Sequence, residues 1–529
     1  MVRELNVIKK DWRKVKLKIG LCYPNVYRAG MSGLTIRLLY ALFNAQNDVV
    51  CERFFVPTRS EPWTSLESNQ PLKKFDVVAF TLQYEEDYVN VVRMLLSSGI
   101  PPRREDRKIG HPIVIAGGPC VTANPEPLAD FIDLFVIGDA EPVFEDLVNY
   151  LIEYKDTRNM EKLADLKGVY VSQYPSTVRK ITAKNLDDAF HPLAQQVPIV
   201  EDWSCFMTIF GRALAVEETR GCSRNCRFCM LRHISFPRRE RSLKKVEEII
   251  DEGMKKTPVG KVSLIGASIF DYSKLEDICE YIVSKGYELS IPSLRPESIT
   301  ENLAKLLAKG KQKNVSIAPD VASSRMRDVT CKYMNDESLI DAAKILLQYR
   351  IKRLKLYFII GLPQETSEDV KAIADLSKKI ADAGYGEKSI HLSINPLVPK
   401  PHTPFQWEKM VTVQYFRESL KLLKKILNGD RRLIIEGMDP RHAQIQAFLS
   451  RGNRQIGKTV ELASFYGGNL GAWRRAMKES DIKLDSYLRE LNFDEPLPWR
   501  NIDVGLEKGY LFKEAKKFRM LDSQERQAV

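Results

Sequence analysis

Residues 213–229 read ALAVEETRGCSRNCRFC, and this stretch decides how the rest of the chain is interpreted. Its first half has the apolar character of a buried strand, and its second half carries cysteines at 222, 226 and 229. The spacing C-x3-C-x2-C therefore places three thiols in one loop directly after a strand. Three thiolates at this spacing can each bind one iron of a [4Fe–4S] cube, which leaves the fourth iron open for a ligand.

A structural zinc site is the alternative interpretation of this loop, because His233 follows Cys229 by four residues. Zinc prefers four tetrahedral ligands, and three cysteines with one histidine supply them. The chain has 9 cysteines among 529 residues, too few for a disulfide scaffold. We expect the lone cysteines outside the loop to be buried as small apolar side chains.

Composition and charge narrow the class of protein. Hydrophobic residues make up 44% and charged residues 28%, which is typical of a globular chain and excludes wholesale disorder or a collagen-like repeat. No apolar run reaches the roughly 18–20 residues of a membrane span, and the first residues, MVRELNVIKKDW, lack the apolar core of a secretion signal. We therefore expect a cytoplasmic location. The net charge of +12 permits contact with an anionic membrane surface, but we interpret it mainly as a solvated basic surface.

Six candidate strands alternate with helices after residue 210. They lie at 212–219, 261–268, 288–294, 314–319, 353–361 and 389–397, with helices such as 242–256 and 336–349 between them. This alternation predicts a partial or complete parallel α/β barrel over 210–408. Barrels of this kind place their chemistry at the carboxyl ends of the strands.

A first alternating unit precedes the barrel. Strand candidates at 15–24, 75–83, 111–119 and 133–141 are each followed by a helical pattern. They predict a doubly wound parallel sheet over 1–155, with its ligand outside the carboxyl ends of the strands. Residues 156–209 are interpreted as a connector with a small sheet at 168–174, and 409–529 as a basic, mostly helical domain. The predicted fold class is α/β.

The three-cysteine loop, placed after the first strand of a barrel, resembles the signature of the radical S-adenosylmethionine (SAM) superfamily. The resemblance implies that Cys222, Cys226 and Cys229 bind a [4Fe–4S] cluster whose open iron chelates the methionine part of S-adenosylmethionine. It further implies that one electron from the cluster cleaves S-adenosylmethionine to a 5′-deoxyadenosyl radical, which abstracts hydrogen from an unactivated carbon. No catalytic base is assigned.

Later segments resemble the parts of this family that contact S-adenosylmethionine, in the family's order along the chain. They are Gly266-Ala267-Ser268, the run from Ala318 to Arg327, Gly361 to Thr366, and Ser393 to Phe405. The glutamate that often follows the first of these segments is absent, and Asp320 stands where the family usually has a glutamate. The resemblance implies contacts to S-adenosylmethionine from Gly266, Ala267, Ser268, Asp320, Ser323, Arg325, Gly361, Pro363 and Asn395.

The first unit resembles the cobalamin-binding domain fused ahead of many of these enzymes. The Asp-x-His-x-x-Gly motif that supplies a lower axial histidine in some cobalamin proteins is absent from it. A flavodoxin-like domain retained for packing or docking is the alternative. The resemblance implies cobalamin contacts from Tyr23, Asn25, Thr81, Gln83, Tyr84, Gly117, Gly118, Pro119, Gly138 and Glu141.

The whole chain, including the tail segment from Glu495 to Gly505, resembles one branch of these fused enzymes. Because related archaeal enzymes form rings in glycerol dialkyl glycerol tetraether (GDGT) membrane lipids, the resemblance implies, as the specific hypothesis, an enzyme of archaeal lipid biosynthesis with this activity. The expected partners are a small-molecule or lipid substrate, an electron donor such as ferredoxin or flavodoxin, and a membrane surface in peripheral contact. We expect no nucleic-acid partner. The alternatives are a radical SAM methyltransferase, a transfer-RNA methylthiotransferase, and a non-enzymatic zinc-stabilised RNA-binding protein, although the interleaved aromatic and basic stretches of common RNA modules are missing.

Overall fold

The computed structural model describes residues 2–58 and 63–527. In this part of the chain the first sheet has six strands in the order β2-β1-β3-β4-β5-β6, all parallel except β6, which runs antiparallel to β5. The strands are β1 (Leu17–Tyr23), β2 (Val49–Phe55), β3 (Val77–Thr81), β4 (Ile113–Gly117), β5 (Leu134–Val136) and β6 (Val169–Tyr170).

The first sheet is covered by apolar packing on both faces, as a doubly wound sheet requires. Along β3, Val77 and Ala79 belong to one core cluster, while Val78 and Phe80 belong to the cluster on the opposite face. The helices of this unit are α1 (Tyr27–Ser32), α2 (Thr35–Ala45), α3 (Tyr88–Ser97), α4 (Pro119–Ala123), α5 (Phe144–Tyr154) and α6 (Met160–Ala164). The predicted doubly wound sheet is confirmed. The two edge strands β2 and β6 were not assigned to it from the sequence.

A second set of parallel strands forms the wall of a partial barrel. The short strands around it are β7 (Val178–Arg179), β9 (Thr219–Arg220), β10 (Arg239–Glu240) and β17 (Ile502–Asp503). The wall strands are β8 (Leu214–Glu217), β11 (Lys261–Ile265), β12 (Glu288–Ser290), β13 (Asn314–Asp320), β14 (Arg353–Ile360), β15 (Ile390–Pro396) and β16 (Leu433–Gly437). They pair as β8-β11-β12 and β13-β14-β15-β16, and a parallel bridge between Leu294 and Ile317 links the two groups.

The barrel wall is apolar outside and partly open inside. On β14, Leu354, Leu356 and Phe358 are buried in a core shared with the surrounding helices. The intervening residues Lys355 and Tyr357 face the other way and are only partly buried.

The remaining helices are α7 (Met230–Ile234), α8 (Leu243–Lys256), α9 (Leu275–Ser284), α10 (Glu301–Lys309), α11 (Ser324–Thr330), α12 (Asp336–Gln348), α13 (Ser367–Ala381), α14 (Val413–Ile426), α15 (Pro440–Arg451), α16 (Gly457–Phe465), α17 (Leu470–Glu479), α18 (Asp485–Leu488) and α19 (Tyr510–Gln527).

The region after residue 409 is mostly helical, as expected, but it also contributes a strand to the barrel. Leu433–Gly437 (β16) pairs in parallel with β15. Its apolar run is short, from Leu433 to Ile435, and its residues are only half-buried or exposed. Helices α15 to α17 pack largely against the first unit, although α15 also contacts β15. Phe448 and Trp473 on these helices belong to the core of the first unit, together with Val91 of α3.

No helix among residues 2–58 and 63–527 combines the length and the apolar character needed to cross a membrane.

We predict that Leu356→Ala lowers the free energy of unfolding by about 2–5 kcal/mol, because it removes a fully buried side chain from the main barrel core and leaves a cavity. The matched control is Lys355→Ala on the inner face of the same strand, which should change it by under about 1 kcal/mol. Urea unfolding of both variants measures the difference. Equal losses would contradict the assignment of the two faces.

Candidate functional site

The three cysteines lie on an irregular loop between β9 and α7. Residues 222–229 form no helix or strand there, so side chains and turns determine the path of the loop. Gly221 begins it with φ +84°, and a Cβ at this position would lie 2.5 Å from the carbonyl oxygen of Ser235. Only glycine accepts this conformation and this close approach.

The three cysteine side chains are half-buried to buried and lie within electrostatic reach of one another. Cys226 is 8% exposed, and Cys222 and Cys229 are half-buried. Burial raises the pKa of Cys226 to about 12, and the neighbouring Cys229 and Cys222 thiols add to this rise while Lys332 opposes it. Burial likewise raises the pKa of Cys229. These thiols become thiolates readily only when a metal binds them, and a cluster supplies that positive charge.

A turn after β11 packs directly against the start of the cysteine loop. A Cβ on Gly266 would lie 2.4 Å from Thr219 Oγ1 and 2.5 Å from Glu218 Oε1, so this position requires glycine. Ser268 is fully buried, and its hydroxyl donates to the Gly221 carbonyl at 3.4 Å. Three of the residues expected to contact S-adenosylmethionine, Gly266 to Ser268, are therefore placed beside the cysteine loop.

The zinc interpretation is not supported by the position of His233. Its Nδ1 lies 2.8 Å from the Cys229 carbonyl oxygen, and the ring stands 6.1 Å from that of Tyr510. Across residues 2–58 and 63–527, no three His, Cys, Asp or Glu side chains converge on a point that could hold one metal ion. A zinc ion needs all its ligands within about 2.0–2.3 Å of one point. In a [4Fe–4S] cube the thiolates bind different irons and lie further apart.

Arg220 ties the cysteine loop to the first unit. Its guanidinium lies 2.9 Å from Glu141 and 3.3 Å from Asp139, which follow β5, and 2.9 Å from Glu217 on its own side. Arg239 adds a 2.7 Å pair with Asp139. These charges are largely buried, so their mutual pairing holds the two units together at this point.

A cavity of about 330 Å³ opens beside Arg220 and is walled by both units. Its inner part is an apolar slot between the first sheet and helices α2 and α5, which contribute Leu38, Phe43 and Phe144. Its mouth is polar and includes Lys180 and Arg239. Such a site accepts a ligand with an apolar end and a polar, hydrogen-bonding rim.

Glycines shape the wall of this cavity. A Cβ on Gly117 would meet only Val136, at 3.8 Å, so the backbone here borders open space. Gly118 and Gly138 have φ values of +109° and +106°, and a Cβ on them would clash with the Leu82 and Ile181 carbonyl oxygens. Gly118 and Gly138 therefore allow the backbone to pack closely against Leu82 and Ile181, and Gly117 is the glycine whose missing side chain leaves room in the cavity.

Seven of the ten residues proposed for cobalamin line this cavity: Thr81, Gln83, Gly117, Gly118, Pro119, Gly138 and Glu141. The other three lie elsewhere on the same sheet edge. Asn25 donates to Asp87 at 2.7 Å, Tyr84 donates to Glu86 at 2.9 Å, and the Tyr23 ring stands 6.5 Å from that of Phe55. The polar side-chain atoms of Asn25 and Tyr84 are thus engaged within the protein, away from the cavity, and Tyr23 packs by its ring.

A second cavity, of about 380 Å³, lies at the carboxyl ends of β13, β14 and β15. Phe228 and Met230 of the cysteine loop region form one side, and Asp320, Tyr357 and Asn395 contribute polar groups. Asp320 pairs with Lys332 at 2.7 Å, which places a buried ion pair beside Cys226. Two of the expected S-adenosylmethionine contacts, Asp320 and Asn395, therefore lie where the cysteine loop meets the barrel mouth.

The remaining expected contacts stand one layer away, at the rim of the barrel. Ser323 caps α11 and donates to Asp369 at 2.6 Å. Arg325 pairs with the same carboxylate and donates to the Gln364 carbonyl. Gly361 (φ +88°) and Pro363 lie in the turn after β14, where Glu365 accepts from the Gly361 amide at 2.8 Å. These residues form a network that shapes the rim.

Comparisons with known proteins agree with this architecture. A model of the Radical SAM superfamily matches residues 216–377, and one of the N-terminal region of Radical SAM proteins matches 35–172. The uncharacterized protein MJ0966 of Methanocaldococcus jannaschii is 30% identical over 498 residues, covering 92% of this chain and 99% of that protein. The uncharacterized methyltransferase PH0819 of Pyrococcus horikoshii is 28% identical, covering 52% of this chain and 60% of that protein.

Two solved enzymes share the fold at low identity. The radical S-adenosylmethionine methyltransferase TsrM from Kitasatospora setae aligns with a TM-score of 0.57 and 11% identity, over 88% of this chain and 99% of that one. The cobalamin-dependent S-adenosylmethionine radical enzyme OxsB aligns with a TM-score of 0.53 and 12% identity, over 97% and 80%. The chain belongs to the radical SAM superfamily and is an enzyme of that class. Its cofactors are accordingly a [4Fe–4S] cluster and S-adenosylmethionine.

Several site residues were not identified from the sequence. Arg220, Lys180 and Arg239 wall the first cavity, and Tyr357 and Lys400 wall the second. Arg220 directly precedes the Gly-Cys pair, which was a usable signal. The others become neighbours only through tertiary packing, because they come from the connector, from β10 and from the barrel.

We predict that Cys226→Ala abolishes cluster binding, because the cube would lose one of its three protein ligands. Iron per chain, measured after anaerobic reconstitution, should fall from about four to below about one. Cys331→Ala, which changes a cysteine outside the motif, should retain its iron. Full iron in the Cys226 variant, or about one zinc per chain in the unmodified protein, would contradict the assignment.

We predict that Glu218 makes stability depend on pH. Full burial raises the pKa of its carboxyl from 4.5 to about 8. Between these values the unfolded chain releases a proton that the folded chain keeps, so the free energy of unfolding falls by up to about 1.4 kcal/mol per pH unit as pH rises. Glu218→Gln removes this dependence.

Urea unfolding of the iron-free protein from about pH 5.5 to about pH 8 tests this, with a slope of at most about 1.4 kcal/mol per unit. The stability advantage of the glutamine variant should grow with pH. Glu248→Gln, an exposed glutamate on α8, is the control and should leave the slope unchanged. Parallel curves for wild type and Glu218→Gln would refute the prediction.

Proposed function

We propose that this protein is a cobalamin-dependent radical SAM methyltransferase. One observation carries the proposal: the cavity of the first unit is walled jointly by its glycine-rich strand ends and by Arg220, Leu231 and Ile234, on either side of the cysteine loop. A ligand in this cavity would therefore lie beside the cluster. The methyltransferase names of TsrM and PH0819 lend support.

The donor set of the cavity fits cobalamin. The apolar slot between α2 and α5 suits the aromatic base of that cofactor, and the glycine edge with the polar mouth suits a flat ring rimmed by amides. With about 330 Å³ enclosed, the ring itself would occupy the open mouth. No histidine lines the cavity among the described residues, so the protein would offer no imidazole ligand to the cobalt.

When bound, the cluster with S-adenosylmethionine supplies a carbon radical, and the corrinoid supplies a transferable methyl group. The protein's own part is to bind and orient these groups and to keep water out. Phe228 and Met230 shield the second cavity. Asn395 and Tyr357 offer hydrogen bonds there. An external one-electron donor such as ferredoxin or flavodoxin completes the proposal.

The second cavity has a lining of mixed character. Apolar residues such as Phe358, Leu397 and Val398 form most of its wall, and Asp320, Asn395 and Lys400 add polar groups. Such a wall suits a substrate with both apolar and polar parts. Ring formation in tetraether lipids therefore stays a prediction from sequence resemblance.

A methylthiotransferase is the second candidate, because several curated relatives carry that name. One is the ribosomal protein uS12 methylthiotransferase RimO of Thermodesulfovibrio yellowstonii, 24% identical over 31% of this chain. Enzymes of that kind usually carry three more cysteines in their first domain. Cys22, Cys51 and Cys120 are all buried in the first unit, on the three separate elements β1, β2 and α4. This placement differs from the single loop that carries Cys222, Cys226 and Cys229, and it favours methyl transfer.

The test uses the full chain, purified without oxygen and reconstituted with iron, sulfide and cobalamin. We expect about four irons and about one cobalt per chain. Gly117→Leu should fill the cavity and abolish cobalt binding while leaving iron unchanged, because a side chain at Gly117 points into open space. Gly386→Leu, at a glycine also facing open space, should keep both metals.

The product of S-adenosylmethionine distinguishes the reactions. Methyl transfer requires S-adenosylhomocysteine together with a methylated corrinoid, whereas ring formation yields 5′-deoxyadenosine without S-adenosylhomocysteine. Protein that contains no cobalt after reconstitution would contradict the proposal. So would 5′-deoxyadenosine as the only product formed from S-adenosylmethionine. An iron content that corresponds to two clusters, together with a methylthiolated product, would favour the methylthiotransferase.

A further inference from the structure

Arg227 stands between two cluster cysteines and is fixed on every side. Its backbone amide donates to the Thr330 carbonyl at 2.9 Å. One guanidinium nitrogen, Nη1, donates to the Asp328 and Val329 carbonyls at 2.7 and 3.0 Å. The other two, Nε and Nη2, donate to one carboxylate oxygen of Glu514 at 3.1 and 3.0 Å. The side chain of Arg227 is 7% exposed, so these bonds lie out of water.

Glu514 belongs to α19, the last helix of the chain, nearly 300 residues away in sequence. This helix lies against the cysteine loop and the barrel mouth. Phe518 packs edge-on against Phe405 at 4.9 Å, and its backbone carbonyl accepts from the Gln364 amide at 2.7 Å. One turn before Glu514, the Tyr510 ring lies 6.1 Å from the ring of His233 on α7. The helix thus spans from the residues after the cysteines to the turn after β14.

The cysteine loop depends on such anchors because residues 222–229 have no regular secondary structure of their own. On the amino-terminal side, Arg220 bonds to the first unit. On the carboxyl-terminal side, Arg227 bonds to α11 and α19. Loss of one partner of a buried charge pair leaves the other charge uncompensated, which displaces the segment that carries it.

We propose that Glu514 is a positioning residue of the cluster, so that the carboxy-terminal helix is part of the radical site. Through Arg227, its carboxylate holds Cys226 and Cys229 in the arrangement that a cluster requires. The Asp328 and Val329 carbonyls alone are neutral acceptors and cannot balance the guanidinium charge. This inference rests on the family's cluster and does not depend on methyl transfer or on cobalamin.

The test compares Glu514→Gln and Glu514→Ala in the full chain. After anaerobic reconstitution, we expect iron release to a chelator to be about tenfold faster or more, since residues that orient metal ligands typically change affinity by this much. The electron paramagnetic resonance spectrum of the reduced cluster should broaden, and its change on adding S-adenosylmethionine should weaken. The glutamine variant, which keeps the shape and one acceptor oxygen, should be the milder of the two.

Two control variants separate this role from general helix stability. Lys517→Ala removes the other partner of Glu514, paired at 2.5 Å, and leaves the bond to Arg227 intact. Glu507→Ala removes an exposed carboxylate just before the helix, which pairs with Lys513. Both should release iron at the wild-type rate. Circular dichroism of the iron-free variants checks that the chain is folded.

Iron release and spectra of both Glu514 variants within about twofold of wild type would overturn the proposal. So would an equal defect in Lys517→Ala, because it would trace the effect to the helix and away from Arg227. If Glu514→Ala does not fold, Glu514→Gln decides the matter alone by the same two readouts.

Discussion

The structure depends on holding three thiols in one small volume with a loop that has no helix or strand of its own. Two arginines, one just before the loop and one within it, anchor the loop on opposite sides. Arg220 bonds to Asp139 and Glu141 of the first unit, and Arg227 bonds to Glu514 of the last helix. Both side chains are largely buried, so each must be fully paired, and a fully paired arginine has little freedom to move. The loop is thereby fixed both to the first unit and to the last helix.

The first unit and the barrel meet at this loop because each presents the carboxyl ends of parallel strands. In the first unit these ends lead to Gly117, whose missing side chain leaves the cavity open, and to Gly118 and Gly138, which let the backbone pack against Leu82 and Ile181. In the barrel they lead to Asp320 and Asn395 at the second cavity. Both cavities therefore lie at the carboxyl ends of parallel strands, with the cysteine loop between them. Within residues 2–58 and 63–527, this is the arrangement on which the proposed chemistry rests.

Much of this fold could be predicted from the sequence, because fully buried parallel strands are strongly apolar. All six predicted barrel strands are present, from Leu214–Glu217 to Ile390–Pro396. The seventh, Leu433–Gly437, was missed because its apolar run is only three residues long, from Leu433 to Ile435, between Arg432 and Glu436. The strand Val169–Tyr170 is only two residues long and joins the first sheet antiparallel, which no local pattern indicates.

The candidate site was less predictable, for a physical reason. The cysteines are local in sequence, so their spacing alone identified them. Asn25 and Tyr84 follow strands of the correct sheet, but their polar side-chain atoms are engaged by Asp87 and Glu86. Tyr23 ends β1 and packs by its ring against Phe55. Glu514 reaches Arg227 across 287 residues, and no spacing rule connects them. Long-range charge pairs are decided by packing, and only the folded chain reveals them.

The central claim is that a corrinoid cavity and a cluster loop form one continuous site. Anomalous diffraction at the iron and cobalt absorption edges, from crystals of the reconstituted full chain, tests it most directly. The account predicts an iron peak at Cys222, Cys226 and Cys229 and a cobalt peak at the cavity mouth between Gly117 and Arg220. An iron peak with no cobalt there, or cobalt bound elsewhere on the surface, would contradict it.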